Sequence, residues 1–164
     1  MFQLGELITY GTHGVCRIID RENRRVDRKA VEYFVLEPLD HPGSRFYVPT
    51  GNQAALSKLK RLLSAQELMD IVNSPESKAD CWISDDNQRK QQYRSILAAG
   101  DRASVISLVR SLYAHKQRQF AAGKKFHMSD ENFLNDAQKI IYSELSLVLE
   151  IPGNEVTQFL LRDG

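Results

Sequence analysis

Four histidines, two cysteines and one pair of neighbouring aspartates are the residues of this chain most suited to chemistry. His13, His41, His115 and His127 are scattered, and none pairs with a cysteine or another histidine at metal-ligand spacing. Cys16 and Cys81 form neither a CxxC pair nor a disulfide framework. Cys16 lies in a strand-like run, which predicts a buried, unreactive thiol. His13, between Thr12 and Gly14, has the position of a base but fits better as a turn residue that hydrogen-bonds locally. Asp85 and Asp86 read as helix caps before they read as a carboxylate pair. There is no GxxxxGK[ST] phosphate loop, no GxGxxG behind a strand and no nucleophile-elbow sequence. These residues therefore predict no enzyme, no cofactor, no metal and no small-molecule substrate.

A second group points to an anionic partner. Trp82 is the only tryptophan, set in Asp80-Cys81-Trp82-Ile83-Ser84 just ahead of Arg89, Lys90 and Arg94. Lys90 and Arg94 are four apart and share a helix face. An aromatic wedge beside cations is how architectural proteins enter the minor groove: cations hold phosphates while an apolar side chain pries at a base step. Two settings for Trp82 fit these residues, a core position as a hinge between domains or partial exposure as a wedge. The surrounding charge is uneven. From Arg89 to Lys125 nine cations face the single acid Asp101, a net +8, and from Phe126 to Gly164 seven acids face two cations, a net −5. Charge separated in this way points to an anionic partner, or to helix faces that neutralise each other in the fold.

The elements that must position these residues change character near Gly51. Leu7–Tyr10, Val15–Ile19, Ala30–Leu36 and Arg45–Val48 are short apolar runs, rich in branched and aromatic residues, between glycine-containing turns. They predict strands of a small, strongly bent sheet or barrel. Arg21 to Arg28 is charged and predicts a hairpin loop. After Gly51 the hydrophobic period becomes helical. Ser64 and Glu67 form a capping box, Asp85–Asp86 open a helix over about 87–99, and Asp101 caps a long helix that ends near Gly123. Ser129 starts the last long helix, with Phe133, Leu134, Ala137, Ile140, Ile141, Leu145 and Val148 on its stripe. The reading is an α+β chain: a β module over 1–52, a linker over 53–62 and a helical domain over 63–164, with no strand after Arg61. The 164 residues suffice for two small domains. No apolar run approaches the ~20 residues of a membrane span, and the first residues lack signal-peptide character, so a cytoplasmic location is expected.

In order and spacing the chain resembles the CarD/CdnL family of bacterial RNA polymerase-binding regulators over nearly its whole length. The motifs are Phe2-Gln3-Leu4-Gly5-Glu6, Ile8-Thr9-Tyr10-Gly11-Thr12-His13-Gly14, and Phe46-Tyr47-Val48-Pro49. In the helical part they are Trp82, Arg89, Tyr93, Leu97 and Gly100-Asp101, then Val105 to Tyr113, and Ala137-Gln138-Lys139-Ile140-Ile141-Tyr142-Ser143-Glu144-Leu145. Three departures stand out. Gly11 replaces a proline, Tyr47 stands where many members carry an arginine, and Ile83 to Gln88 separate Trp82 from an arginine that often follows it directly.

The resemblance implies a Tudor-like or SH3-like N-terminal domain that binds the polymerase β subunit, here through Arg24, Arg25, Arg45 and Tyr47. It implies that the helical domain meets promoter DNA at the upstream edge of the melted bubble, through Trp82, Arg89, Lys90, Arg94, Lys116, Lys124 and Lys125. Such a regulator favours the open complex, reads little base sequence, and is nucleoid-associated through polymerase. Two rivals remain: a protein adaptor whose helices bind protein and not DNA, and a small enzyme with an unfamiliar site. An acidic tail covering the basic stretch would favour the adaptor, and a deep polar-lined pocket the enzyme.

Overall fold

A computed structural model gives the structure of residues 2–162. As expected, an antiparallel sheet comes first and helices follow. Two compact units divide at Leu62/Leu63.

The first unit is a five-stranded antiparallel sheet in the order β4-β3-β2-β1-β5. Its strands are β1 (Leu7–Tyr10), β2 (Val15–Val26), β3 (Lys29–Pro38), β4 (Phe46–Pro49) and β5 (Leu59–Arg61). Ile8, Cys16, Ile18, Phe34, Leu36, Val48 and Leu59 form its core. The predicted loop over Arg21 to Arg28 is instead strand almost throughout. β2 and β3 stay paired to Val26↔Lys29, and only Asp27 and Arg28 turn, both at positive φ (51° and 67°). Two successive left-handed residues match the right-handed strand twist, as in a two-residue hairpin turn. The ribbon reads as loop because β1 and β4 flank only its base. Its outer residues meet water on both faces, so no apolar alternation is required of them.

The predicted linker over 53–62 is also structured. Asn52 caps the single turn of α1 (Gln53–Leu56) by accepting from the Ala55 N–H. β5 then adds to β1, burying Leu59, while Arg61 pairs with Glu6 at 2.9 Å. A three-residue basic strand carries too little periodicity to be seen in sequence, but backbone pairing needs only its N–H and C=O groups.

The second unit holds α2 (Ala65–Val72), α3 (Pro75–Lys78), α4 (Asp86–Ala99), α5 (Arg102–Ala121), α6 (Met128–Leu149) and α7 (Val156–Leu161). The Ser64–Glu67 capping box forms in both directions. Asp85 and Asp101 cap α4 and α5, and Gly100 ends α4 in the left-handed region. α6 starts one turn-position earlier than expected, at Met128 behind His127, so Asp130 and Glu131 fall in its first turn. Tyr93, Val105, Leu108, Leu112, Leu134, Ile141 and Leu145 are its fully buried centre. Among the described residues no helix is long and apolar enough to cross a membrane.

Candidate nucleic-acid interface

Trp82 lies in the connection between α3 and α4, and side chains from two helices hold that connection. From α5, the Ser107 hydroxyl donates to the Ala79 carbonyl at 2.6 Å, and the Ser111 hydroxyl accepts from the Cys81 N–H at 3.0 Å. From α4, the Tyr93 hydroxyl donates to the Cys81 carbonyl at 3.0 Å, and Arg89 donates to the carbonyls of Ile83 and Ser84. Ser107, Ser111, Tyr93 and Arg89 are all buried. Backbone polar groups that would otherwise be held by water are therefore held by core side chains.

The indole itself is half-buried. His115 lies parallel to it at 3.5 Å between ring centroids, with 14° between the planes. The guanidinium of Arg89 is 4.5 Å from the indole. A parallel ring at 3.5 Å fills one face, so the guanidinium takes the other. Phe126 completes the cluster, 6.1 Å from His115. Neither sequence setting for Trp82 is met in full: it packs against the core of the helical unit and remains half-exposed.

Arg89 corrects the expectation that it grips phosphate. Its side chain is 2% exposed and is held by Asp130 (0% exposed) through Nε at 3.0 Å and Nη2 at 3.4 Å, and by Asp86 at 2.8 Å. Those acids hold its proton more firmly than usual against the pull of burial. A cation consumed in this way braces Trp82 and cannot also neutralise a phosphate. Lys116 is engaged as well, 3.1 Å from Glu131. Arg102 forks onto buried Glu144, and Arg110 donates to the carbonyls of Val72, Ser77 and Leu160. The acidic tail thus covers part of the basic stretch. Lys90, Arg94, Arg118, Lys124 and Lys125 form no ion pair among the described residues, and all but half-buried Lys90 are exposed.

Sequence reasoning missed His115, Arg118 and the serines. Ser107, Ser111, His115 and Arg118 recur at helical spacing and line the α5 face that carries the Trp82 segment. Small polar residues Ser107 and Ser111 set among the buried apolar residues Val105, Leu108, Val109 and Leu112 were the available signal.

In the first unit, β4 is a sheet edge and Tyr47 points out from it, 36% exposed. Arg24 lies 4.1 Å over the Tyr47 ring and pairs with Glu22 at 3.2 Å, while Tyr33 meets Tyr47 edge-on at 6.4 Å. Arg25 sits near the ribbon end, opposite Ala30, and Arg45 precedes β4; both are exposed. So the structure joins Arg24 to Tyr47.

The residues weighed for catalysis have structural settings. His13 meets Phe46 at 3.8 Å between ring centroids, tilted by 31°, and stacks on Tyr10 at 5.5 Å. Burial pushes the Cys16 thiol up to about 12, which keeps it protonated. Asp85 caps α4 and Asp86 pairs with Arg89. Among the described residues no three His, Cys, Asp or Glu side chains stand together to hold a metal.

Comparison with known families covers both units. Residues 2–60 match the CarD-like/TRCF RID domain, and residues 54–161 match the CarD, C-terminal domain. No match is found among curated proteins. The chain belongs to the CarD-like family, non-enzymatic, transcription-associated regulators that interact with RNA polymerase.

Proposed function

We propose that the chain binds the RNA polymerase β subunit through its β module and meets promoter DNA through its helical unit at the upstream edge of the bubble, where Trp82 favours the open complex. The observation that carries this reading is the braced indole: half-exposed, held between His115 and Arg89, its neighbouring backbone pinned by core side chains. Such a group acts as a wedge against a base step and does not intercalate fully, since its faces are taken. Lys90, Arg94, Lys124 and Lys125 supply the phosphate contacts, and Lys116 joins them only by leaving Glu131. On the β module, Arg24, Arg25, Arg45 and the Tyr47 edge form the polymerase surface, where an edge strand adds to a partner's sheet and side chains give specificity. Polymerase binding sets the position and the effective concentration, so no base reading is needed. The protein then works in the bacterial cytoplasm, on the nucleoid through polymerase, and needs no cofactor.

Energetically, a contact made only with opened DNA shifts the closed/open equilibrium by its differential free energy. An edge contact worth ~1–2 kcal/mol lengthens the open state roughly five- to thirtyfold. The test adds the full chain to polymerase–promoter complexes and follows their decay after competitor challenge. A longer lifetime is expected, and an unchanged one removes the proposal.

A second reading has its own support. Asp130, Glu131 and Glu144 of the acidic tail neutralise Arg89, Lys116 and Arg102 of the basic stretch, as expected of an adaptor whose helices bind protein. DNA binding by the chain that does not weaken with salt would favour it.

A further inference from the structure

We infer that His115 is a positioning residue for Trp82, its stacked imidazole fixing the tilt at which the indole edge is offered to DNA. The inference deepens the DNA-contact reading and rests on it for its functional arm. Hydrogen bonds fix the Trp82 backbone on both sides, but they leave the two side-chain torsions free. Packing sets those, and beside the core against which Trp82 rests, Arg89 and His115 meet the indole ring directly. Arg89 is anchored by Asp130, Asp86 and two carbonyls, so it forms a fixed wall. His115 closes the other side from α5, one turn beyond Ser111, which holds the neighbouring Cys81 N–H.

The His115 imidazole has no hydrogen bond or ion pair among the described residues; it meets the rings of Trp82 and Phe126. A histidine kept in a half-buried place without a polar partner is explained by its flat face. Burial, and after it the charges around the ring, lower its proton affinity. Arg118 follows on α5, Arg89 approaches from α4, and His127 stands ahead of α6, while Asp130 on α6 is the opposing acid. Burial and these cations disfavour a proton on the ring, and a neutral imidazole stacks on the indole without repelling Arg89.

Trp82 is the only tryptophan, so its fluorescence reports on this site alone. His115→Phe keeps a flat ring, and His115→Leu keeps bulk without one, so that variant should fold. In the free chain, H115L should lower Trp82 anisotropy and raise its quenching by acrylamide, while H115F should match the wild type. On polymerase–promoter complexes, H115L should shorten the open-complex lifetime about two- to tenfold, the worth of one ring–ring contact, and H115F should restore it. If H115L and H115F behave alike in both assays, or H115L changes only the melting temperature, the positioning role is overturned. If W82A also leaves the lifetime unchanged, the DNA reading fails, and the fluorescence arm still decides whether His115 sets the indole.

Discussion

Arg89→Ala separates two roles that one arginine cannot hold together. In the structure the guanidinium is 2% exposed and its partner Asp130 is wholly buried. Removing it leaves a carboxylate charged and uncompensated in a low-dielectric site, which costs about 3–5 kcal/mol. The Ile83 and Ser84 carbonyls also lose their donor, but they lie near the surface and water replaces it, so nothing is added for them. A unit of this size loses about 4–8 °C per kcal/mol, so the helical unit should melt about 12–40 °C lower. Exposed Arg94→Ala is the control and should stay within about 0.5 kcal/mol. Replacing both partners with apolar residues, R89M with D130L, should recover much of the loss, because no orphaned charge remains. Thermal and urea unfolding by circular dichroism read all three. If R89A melts within about 3 °C of the wild type, the ion pair contributes little, Arg89 is available to phosphate, and the bracing of Trp82 is wrong.

Charge reversal at Arg25 or Arg45, both exposed, should weaken binding to the polymerase β subunit without lowering the melting temperature; two reversals with unchanged affinity place the contact elsewhere. Arg24→Ala should do the same and also free the Tyr47 ring it covers at 4.1 Å. DNA binding should weaken with salt at a slope of about −2.7 to −3.6 for three or four phosphate contacts, and Arg94→Ala should make that slope shallower by about one contact. Burial lowers the proton affinity of His115 and of His13 below the usual 6.5, with Arg118 and His41 respectively adding to it. The unfolded chain therefore binds more protons as pH falls below about 6.5, so stability is full above that value and declines below it. The urea midpoint should be lower at pH 5.5 than at 7.5, with H115F removing the part due to the helical unit. An equal or higher midpoint at the lower pH contradicts the buried setting of these rings.

The fold was legible wherever burial imposes a period. Val105, Leu108, Val109 and Leu112 repeat at helical spacing and are all buried, and Ser64, Asp85 and Asp101 cap helices as their types require. The ribbon beyond Arg21 and the strand Leu59–Arg61 were not legible, because backbone pairing holds them and leaves little trace in side-chain pattern. At the site, Trp82 stood out by type and by its cationic neighbours. The role of Arg89 did not, because proximity in sequence to Lys90 and Arg94 says nothing about Asp130, forty-one positions away. The departure that set Ile83 to Gln88 between Trp82 and Arg89 is closed by folding. That stretch holds the cap of α4, and the helix returns the guanidinium to 4.5 Å from the indole. The +8 stretch left open an anionic partner or helix faces that neutralise each other, and its sequence could not show that Arg102 pairs with Glu144 or that Arg110 satisfies helix-end carbonyls.

The central claim, that a braced Trp82 stabilises opened promoter DNA, is met most directly by measuring open-complex lifetime with W82A. The sandwich alters what this variant does to the protein itself. A fully buried tryptophan would cost ~3–5 kcal/mol and a free one almost nothing. Loss of one ring stack and one cation–π contact costs about 1–3 kcal/mol. The lifetime is therefore taken well below the variant's own melting temperature, with polymerase binding checked in parallel. W82A should still bind polymerase and let open complexes decay roughly five- to thirtyfold faster than the wild type does. A folded, polymerase-bound W82A that protects open complexes as long as the wild type contradicts the claim.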